Sequence, residues 1–284
     1  MKKLLVLVLP TLMAGYLLIF NVSCSQKDKP ADSKYILFLT GQDTHGWGSH
    51  KHIAGTILLA ESLPEGAPNV TTEDINEWPS AAQLEKADAL VIYADGWAKH
   101  PANGHLDELK AFMDAGKGLV ALHWATGIGT PADAGTEQKD EPNRVAWRKL
   151  MGADFEAYYS ISNFYNAEFN NPAEHPILNG VSPFNLYDEC YYHLRESEVG
   201  KINRLLPSHP PVSTIQEGLT PYRGNDFARE SIKNNEEQFS AWAYERPEGG
   251  RAFGFTGGHF HWSWARDEVR KMVMNGILWA AGGA

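Results

Sequence analysis

Residues 89–124, ALVIYADGWAKHPANGHLDELKAFMDAGKGLVALHW, contain one complete strand–helix–strand unit. Ala89–Tyr93 is an unbroken apolar run, the pattern of a strand buried on both faces. A helix is predicted over His105–Ala115, closed by Gly116 and Gly118. Leu119–Leu122 is the next strand, and it runs straight into His123 and Trp124.

The same grammar extends outward. Tyr35–Leu39 reads as a buried strand ending in Thr40-Gly41. Ser49–Leu63 carries apolar residues at 53, 54, 57, 58 and 60, a helical stripe, with Pro64 and Gly66 predicted to stop it. Arg144–Met151 is a further helix ending at Gly152. From about 153 to 240 the pattern is irregular and aromatic, an excursion of short strands and loops. Phe239–Tyr244 and Arg251–Thr256 flank Gly249-Gly250 and predict a hairpin. Arg266–Ala281 is the last helix. Strands alternating with helices imply parallel βαβ units with right-handed crossovers, an α/β fold around a mainly parallel central sheet.

Composition removes several function classes. The 284 residues are 43% hydrophobic and 21% charged, a globular balance. Asp+Glu number 35 against 25 Lys+Arg, a net charge of −10, and no basic cluster exists to neutralise phosphates. Nucleic acid is therefore not an expected partner. Two cysteines exclude a disulfide scaffold and a cysteine-rich zinc site. No Walker loop, dinucleotide fingerprint or Gly-x-Ser-x-Gly is present, so no nucleotide cofactor is expected.

The N-terminus reads as an address. Lys2 and Lys3 precede an apolar run from Leu4 to Phe20, and Val22-Ser23-Cys24 precedes a polar stretch. Charge and length fit a signal peptide over residues 1–23. Small residues before a cysteine resemble the lipobox of bacterial lipoproteins, with Cys24 as the lipidated residue. Residues 24–34 would be a flexible tether, and residues 35–284 the folded domain. The expected location is an exported protein held to a membrane by its N-terminal lipid, in the periplasm or at the cell surface.

Ligands of open α/β sheets bind outside the carboxyl ends of the strands. Six of the eleven histidines fall in the loops that follow predicted strands: His45, His50, His52, His123, His259 and His261. Neutral imidazoles suit a divalent cation, zinc foremost, and a catalytic centre needs about three protein ligands. One residue from each of three strand ends gives His45, His123 and His259 as the expected metal ligands. His50 and His52 sit at a helix start, face different ways, and are left out. Asp43, Glu189 and His193 are the catalytic candidates, with Asp43 or Glu189 as base or fourth ligand. Without a metal, histidine alone supplies acid–base chemistry, oriented by Asp43, Asp95 or Asp188-Glu189. Trp47, Trp97, Trp124 and Trp262 are apolar plates that suit the C–H faces of a sugar. Cys190 lacks a strand–turn–helix elbow and reads as an inert buried thiol.

Leu39-Thr-Gly41 with His45, Gly118–His123, His175–Gly180, Asp188-Glu189 with Tyr191, Gly250–His259 and Asn275–Ala280 together resemble the trehalose-utilisation (ThuA-like) family. The resemblance spans about residues 35–282. It implies a flavodoxin-like three-layer sandwich, shared with class I glutamine amidotransferases. The nucleophilic cysteine of those enzymes corresponds here to His123, which removes glutaminase chemistry. The family is tied to disaccharides whose glucose has been oxidised to the 3-keto form, so a carbohydrate is the implied partner. A C3 ketone makes the C2 proton acidic, and its removal permits elimination, hydrolysis or isomerisation. A metal that polarises the ketone and a base near C2 would serve all three. The alternative expectation is a surface glycan-binding lipoprotein without catalysis.

Overall fold

The computed structural model describes residues 32–129, 142–155, 164–170, 174–215 and 226–283. The expected leader over 1–23, Cys24 and residues 25–31 of the tether lie outside the described residues. In chain order the elements are β1 (Lys34–Thr40), α1 (His52–Gly66), β2 (Val70–Ile75), α2 (Ala81–Lys86), β3 (Ala89–Tyr93), α3 (Leu106–Asp114) and β4 (Gly118–Leu122). Then come α4 (Pro142–Met151), β5 (Ala153–Asp154), β6 (Tyr165–Phe169), β7 (Phe184–Asp188), β8 (Arg195–Glu196), β9 (Lys201–Arg204) and β10 (Pro207–Ser208). α5 (Asp226–Lys233), β11 (Gln238–Phe239), β12 (Ala241–Glu245), β13 (Arg251–Phe255) and α6 (Asp267–Ala280) complete the chain.

Seven strands form the central sheet in the order β2-β1-β3-β4-β13-β12-β9. The first five are mutually parallel, and β12 runs against both of its neighbours. Alternate residues of the parallel strands feed two cores. Ile36, Phe38, Val91, Leu122 and Phe253 face α1 and α6 on one side. Leu37, Leu39, Leu90, Ile92 and Leu119 face α3 and α4 on the other. Burial on both faces explains why these strands read as continuous apolar runs. The result is the expected three-layer sandwich.

Two elements depart from the sequence reading for identifiable reasons. β2 carries Val-Thr-Thr-Glu-Asp-Ile, polar because it is an edge strand, and the apolar-run criterion passes over it. Helix α1 runs through Pro64 without breaking and stops only at Gly66. Proline has no N–H to give the carbonyl of Ala60 one turn earlier. The Thr72 hydroxyl of β2 donates to that carbonyl at 3.0 Å, so the helix and its neighbouring strand repair the gap together.

The path of the chain sets the site. From β1 it moves outward to β2 and then returns past β1 to β3. This reversal of strand order opens a crevice at the carboxyl ends. The excursion between α4 and β12 contributes the β6–β7 hairpin, whose last residue, Asp188, and the Glu189 that follows it reach that same rim. Among the described residues, no helix is long and apolar enough to cross a membrane.

Candidate functional site

Four loops at the carboxyl ends of β1, β3, β4 and β13 are tied to one another by backbone bonds. The loop after β1 is zipped to the loop after β13: His50 donates its N–H to the carbonyl of His259 at 2.8 Å, and His261 donates to Gly48 at 2.7 Å. The loop after β3 joins the loop after β4 where Trp97 donates to the carbonyl of Gly127 at 3.0 Å. Asp188 clamps the turn after β13. Its carboxylate accepts from the N–H groups of Gly258 (2.7 Å), His259 (3.1 Å) and Glu189 (2.7 Å), and from the Ser263 hydroxyl (2.6 Å). Gly258 adopts a φ of +99°, a conformation that glycine accepts without strain.

These ties bring His50, His123, His259 and Glu189 together, with one ligand atom of each lying within 4.8 Å of all the others. All four are buried. His123 Nε2 is 3.2 Å from His50 Nε2 and 3.6 Å from Glu189 Oε2. His50 Nε2 is 3.1 Å from His259 Nδ1, which lies 2.8 Å from Glu189 Oε2.

The partners on the far side of each ring assign the protons. His123 Nδ1 faces the Thr256 carbonyl at 2.8 Å, an acceptor only, so Nδ1 carries the hydrogen and Nε2 keeps its lone pair. His50 Nδ1 likewise faces the Asp95 carboxylate at 3.0 Å. Two lone pairs therefore face one another across 3.2 Å, an arrangement that a cation between them would stabilise. Two ligands held at about 2.1 Å in tetrahedral geometry around zinc stand roughly 3.4 Å apart. The nitrogen spacing matches that value. Each ring's outer N–H is also fixed by an oxygen acceptor, as metal-ligating histidines require. The donor set fits a divalent cation.

Electrostatics keeps His50 and His123 neutral. Burial lowers the pKa of His123 well below the usual imidazole value, and the neighbouring His50 and His259 lower it further. Burial likewise takes His50 down to about 4, against the raising bond from Asp95. For Asp95, burial alone would raise the pKa, but the bonds from His50 and Thr44 outweigh it and bring it to about 2. Neutral imidazole beside ionised carboxylate is the state that binds a metal.

The backbone records the same convergence. Six non-glycine residues among those described have positive φ, and four of them stand on this rim: His45 (64°), His50 (45°), Trp97 (52°) and His123 (55°). Each carries a conformational cost characteristic of functional sites. His123 occupies an elbow between β4 and the short 3-10 turn His123–Thr126, whose first carbonyl accepts from the Thr126 hydroxyl at 2.6 Å.

Not every expected site residue joins the cluster. His123, His259 and Glu189 meet there. His45 lies one ring further out, exposed and stacked on His50 at 3.7 Å, where it forms a second group with His50 and Asp95. His50 takes the central place that the sequence reading gave to His45. The backbone zipper between residues 48–50 and 259–261 turns His50 inward, and local spacing carries no trace of it. Asp43 accepts from the N–H of Ile53 at 3.1 Å at the start of α1 and pairs with Lys51, so it serves the helix and not the cluster. His193 faces Ser231 and Gln238 and belongs to neither group. Tyr191, unassigned from sequence, stacks on His123 with its hydroxyl 3.4 Å from Nε2.

The tryptophans divide. Trp124 stands edge-on to His45 and His50, with ring centroids 5.8 and 5.6 Å away, and its buried indole N–H has no partner among the described residues. Trp97 packs on Trp124 and Phe155. Trp262 is partly exposed and stacks on Phe260 beside His259, whereas Trp47 is 91% exposed.

Known proteins bear on this arrangement. The sequence model of a family described as trehalose utilisation (ThuA) matches residues 36–280. No curated protein shows significant sequence similarity to the chain. Among solved structures, a ThuA-like protein from Bacteroides uniformis is 14% identical with a TM-score of 0.54, covering 87% of this chain and 91% of its own. One from Parabacteroides merdae is also 14% identical, with a TM-score of 0.53 and coverage of 89% and 91%. At that identity they share the fold alone. The family match spans nearly the whole described domain, and the chain belongs to the ThuA, or trehalose-utilisation, family.

Proposed function

We propose that this protein is a carbohydrate-active enzyme that hydrolyses, eliminates or isomerises 3-keto-glycosides with the help of a divalent cation. The observation that carries the reading is the pair of imidazole lone pairs facing one another beside a buried carboxylate, in a family described by trehalose utilisation. His50, His123 and His259 would hold the ion, and zinc suits that donor set. A bound divalent cation supplies Lewis acidity toward a ketone oxygen.

The chain's own groups supply the rest. Glu189, the buried carboxylate beside the three imidazoles, is placed to hold a proton taken from carbon. Burial raises the pKa of Tyr191 well above that of free phenol, so its hydroxyl stays protonated and donates toward an oxygen in the site. The partnerless indole N–H of Trp124 is a second donor for a sugar hydroxyl, and its ring is an apolar wall. Asp95 holds His50 in its working tautomer.

Elemental analysis of the purified protein, paired with turnover of a synthetic 3-keto-glucoside with and without chelator, tests this. About one bound divalent ion and chelator-sensitive turnover are expected. No turnover under either condition removes the enzyme reading, and turnover indifferent to chelation removes the metal. Export and membrane attachment through Cys24 complete the proposal, supported by the leader sequence. Incorporation of labelled palmitate that disappears in Cys24→Ser is the expected result.

A further inference from the structure

We propose that the groove over the carboxyl ends of β2, β1 and β3 binds a neutral sugar ring, the non-reacting half of a disaccharide whose other half meets the histidines. This deepens, and rests on, the carbohydrate reading above. Two cavities of about 370 and 310 Å³ lie there and adjoin, sharing Thr40, Gly41, Gln42 and Asn76. Each is in the range of small-ligand sites. They occupy the point where strand order reverses on either side of β1. Thr44 and Asp95 line the larger cavity and also bond one another at 2.8 Å, while Asp95 bonds His50 at 3.0 Å. One residue, Asp95, therefore separates the groove from the cluster.

The lining selects the ligand's charge. Asp74, Glu77 and Asp95 place three carboxylates around the two cavities, against the single ammonium of Lys99, which already lies 3.5 Å from Asp95. A phosphate would meet net repulsion there, unlike the anions taken by glycine-rich crevices of related topology. Hydroxyl groups suit it, because Gln42 and Asn76 offer both donors and acceptors. Trp78 supplies a plate that is fixed in advance. Its ring stacks on His105 at 4.3 Å and 13°, and its indole N–H donates to Glu108 at 3.0 Å. A wall ordered before the ligand arrives lowers the entropic cost of binding.

Calorimetric titration of the full chain with trehalose, an unoxidised glucose disaccharide, reads the groove without requiring turnover. The parent binds, and Trp78→Ala and Asn76→Ala each raise Kd at least tenfold with unchanged circular dichroism. Asn76 is exposed, so its variant stays informative if Trp78→Ala does not fold. No binding by the parent, or parent-like binding by Asn76→Ala, overturns the proposal. So does tighter binding of the same disaccharide carrying a phosphate. If trehalose binding depends on the groove but no 3-keto-glycoside is turned over, the groove stands and the assigned reaction falls. Turnover of a 3-keto-disaccharide with KM untouched by both variants leaves the reaction standing and removes the groove.

Discussion

The chemistry of single residues here is dominated by burial. His50 and His123 are held neutral by desolvation, and the far nitrogen of each is occupied by an oxygen. Replacing either by alanine is expected to abolish metal retention, read as ion stoichiometry, and to lower turnover at least 100-fold. Asp95→Asn keeps the shape but removes the charge behind His50; metal affinity should fall by about 10–100-fold. His100 isolates the cost of burying an imidazole away from the cluster. It is enclosed, with Nε2 toward the Ala125 carbonyl, and burial lowers its pKa to about 4. Its folded value is depressed below about 6.5, so the unfolded chain binds the extra proton first as pH falls. Stability should therefore be lost progressively between pH 6.5 and 4, by up to about 3 kcal/mol. His100→Asn should flatten that part of the curve of denaturant midpoint against pH.

At the level of elements, the repair of α1 makes a clean test. Thr72→Val leaves the Ala60 carbonyl without its donor and should cost about 1 kcal/mol. In a Pro64→Ala background the helix supplies its own N–H, so the same change should cost markedly less. Denaturant unfolding of the four proteins would show this as a coupling energy, and strict additivity would refute it. What was legible in the sequence divides along the same lines. Strands buried on both faces announce themselves as apolar runs, so β1, β3, β4 and the β12–β13 hairpin were readable, as were α3, α4 and α6. The edge strands β2 and β9 have little to bury and gave no such signal. His123 was legible because it follows β4 directly, and His259 because only Thr256-Gly257-Gly258 separate it from β13. His50 was not, because a bridge to a segment 209 residues away orients it, and no local pattern encodes that distance.

For the molecule as a whole, ligand and fold should be linked. An ion bound only by the folded state adds about 2.7 kcal/mol at one hundred times its Kd. For a domain of this size that corresponds to a rise in Tm of about 5–10 °C. Scanning calorimetry with zinc and with chelator should show that separation, and its collapse in His123→Ala; coincident transitions would argue against a resident ion. The strained left-handed residues of the rim have a further consequence. His45, His50, Trp97 and His123 each sit where glycine or asparagine would rest more easily. Laboratory selection for heat tolerance alone should discard these side chains first, gaining robustness while the chemistry is extinguished. The rim is thus the place where durability and usefulness part company.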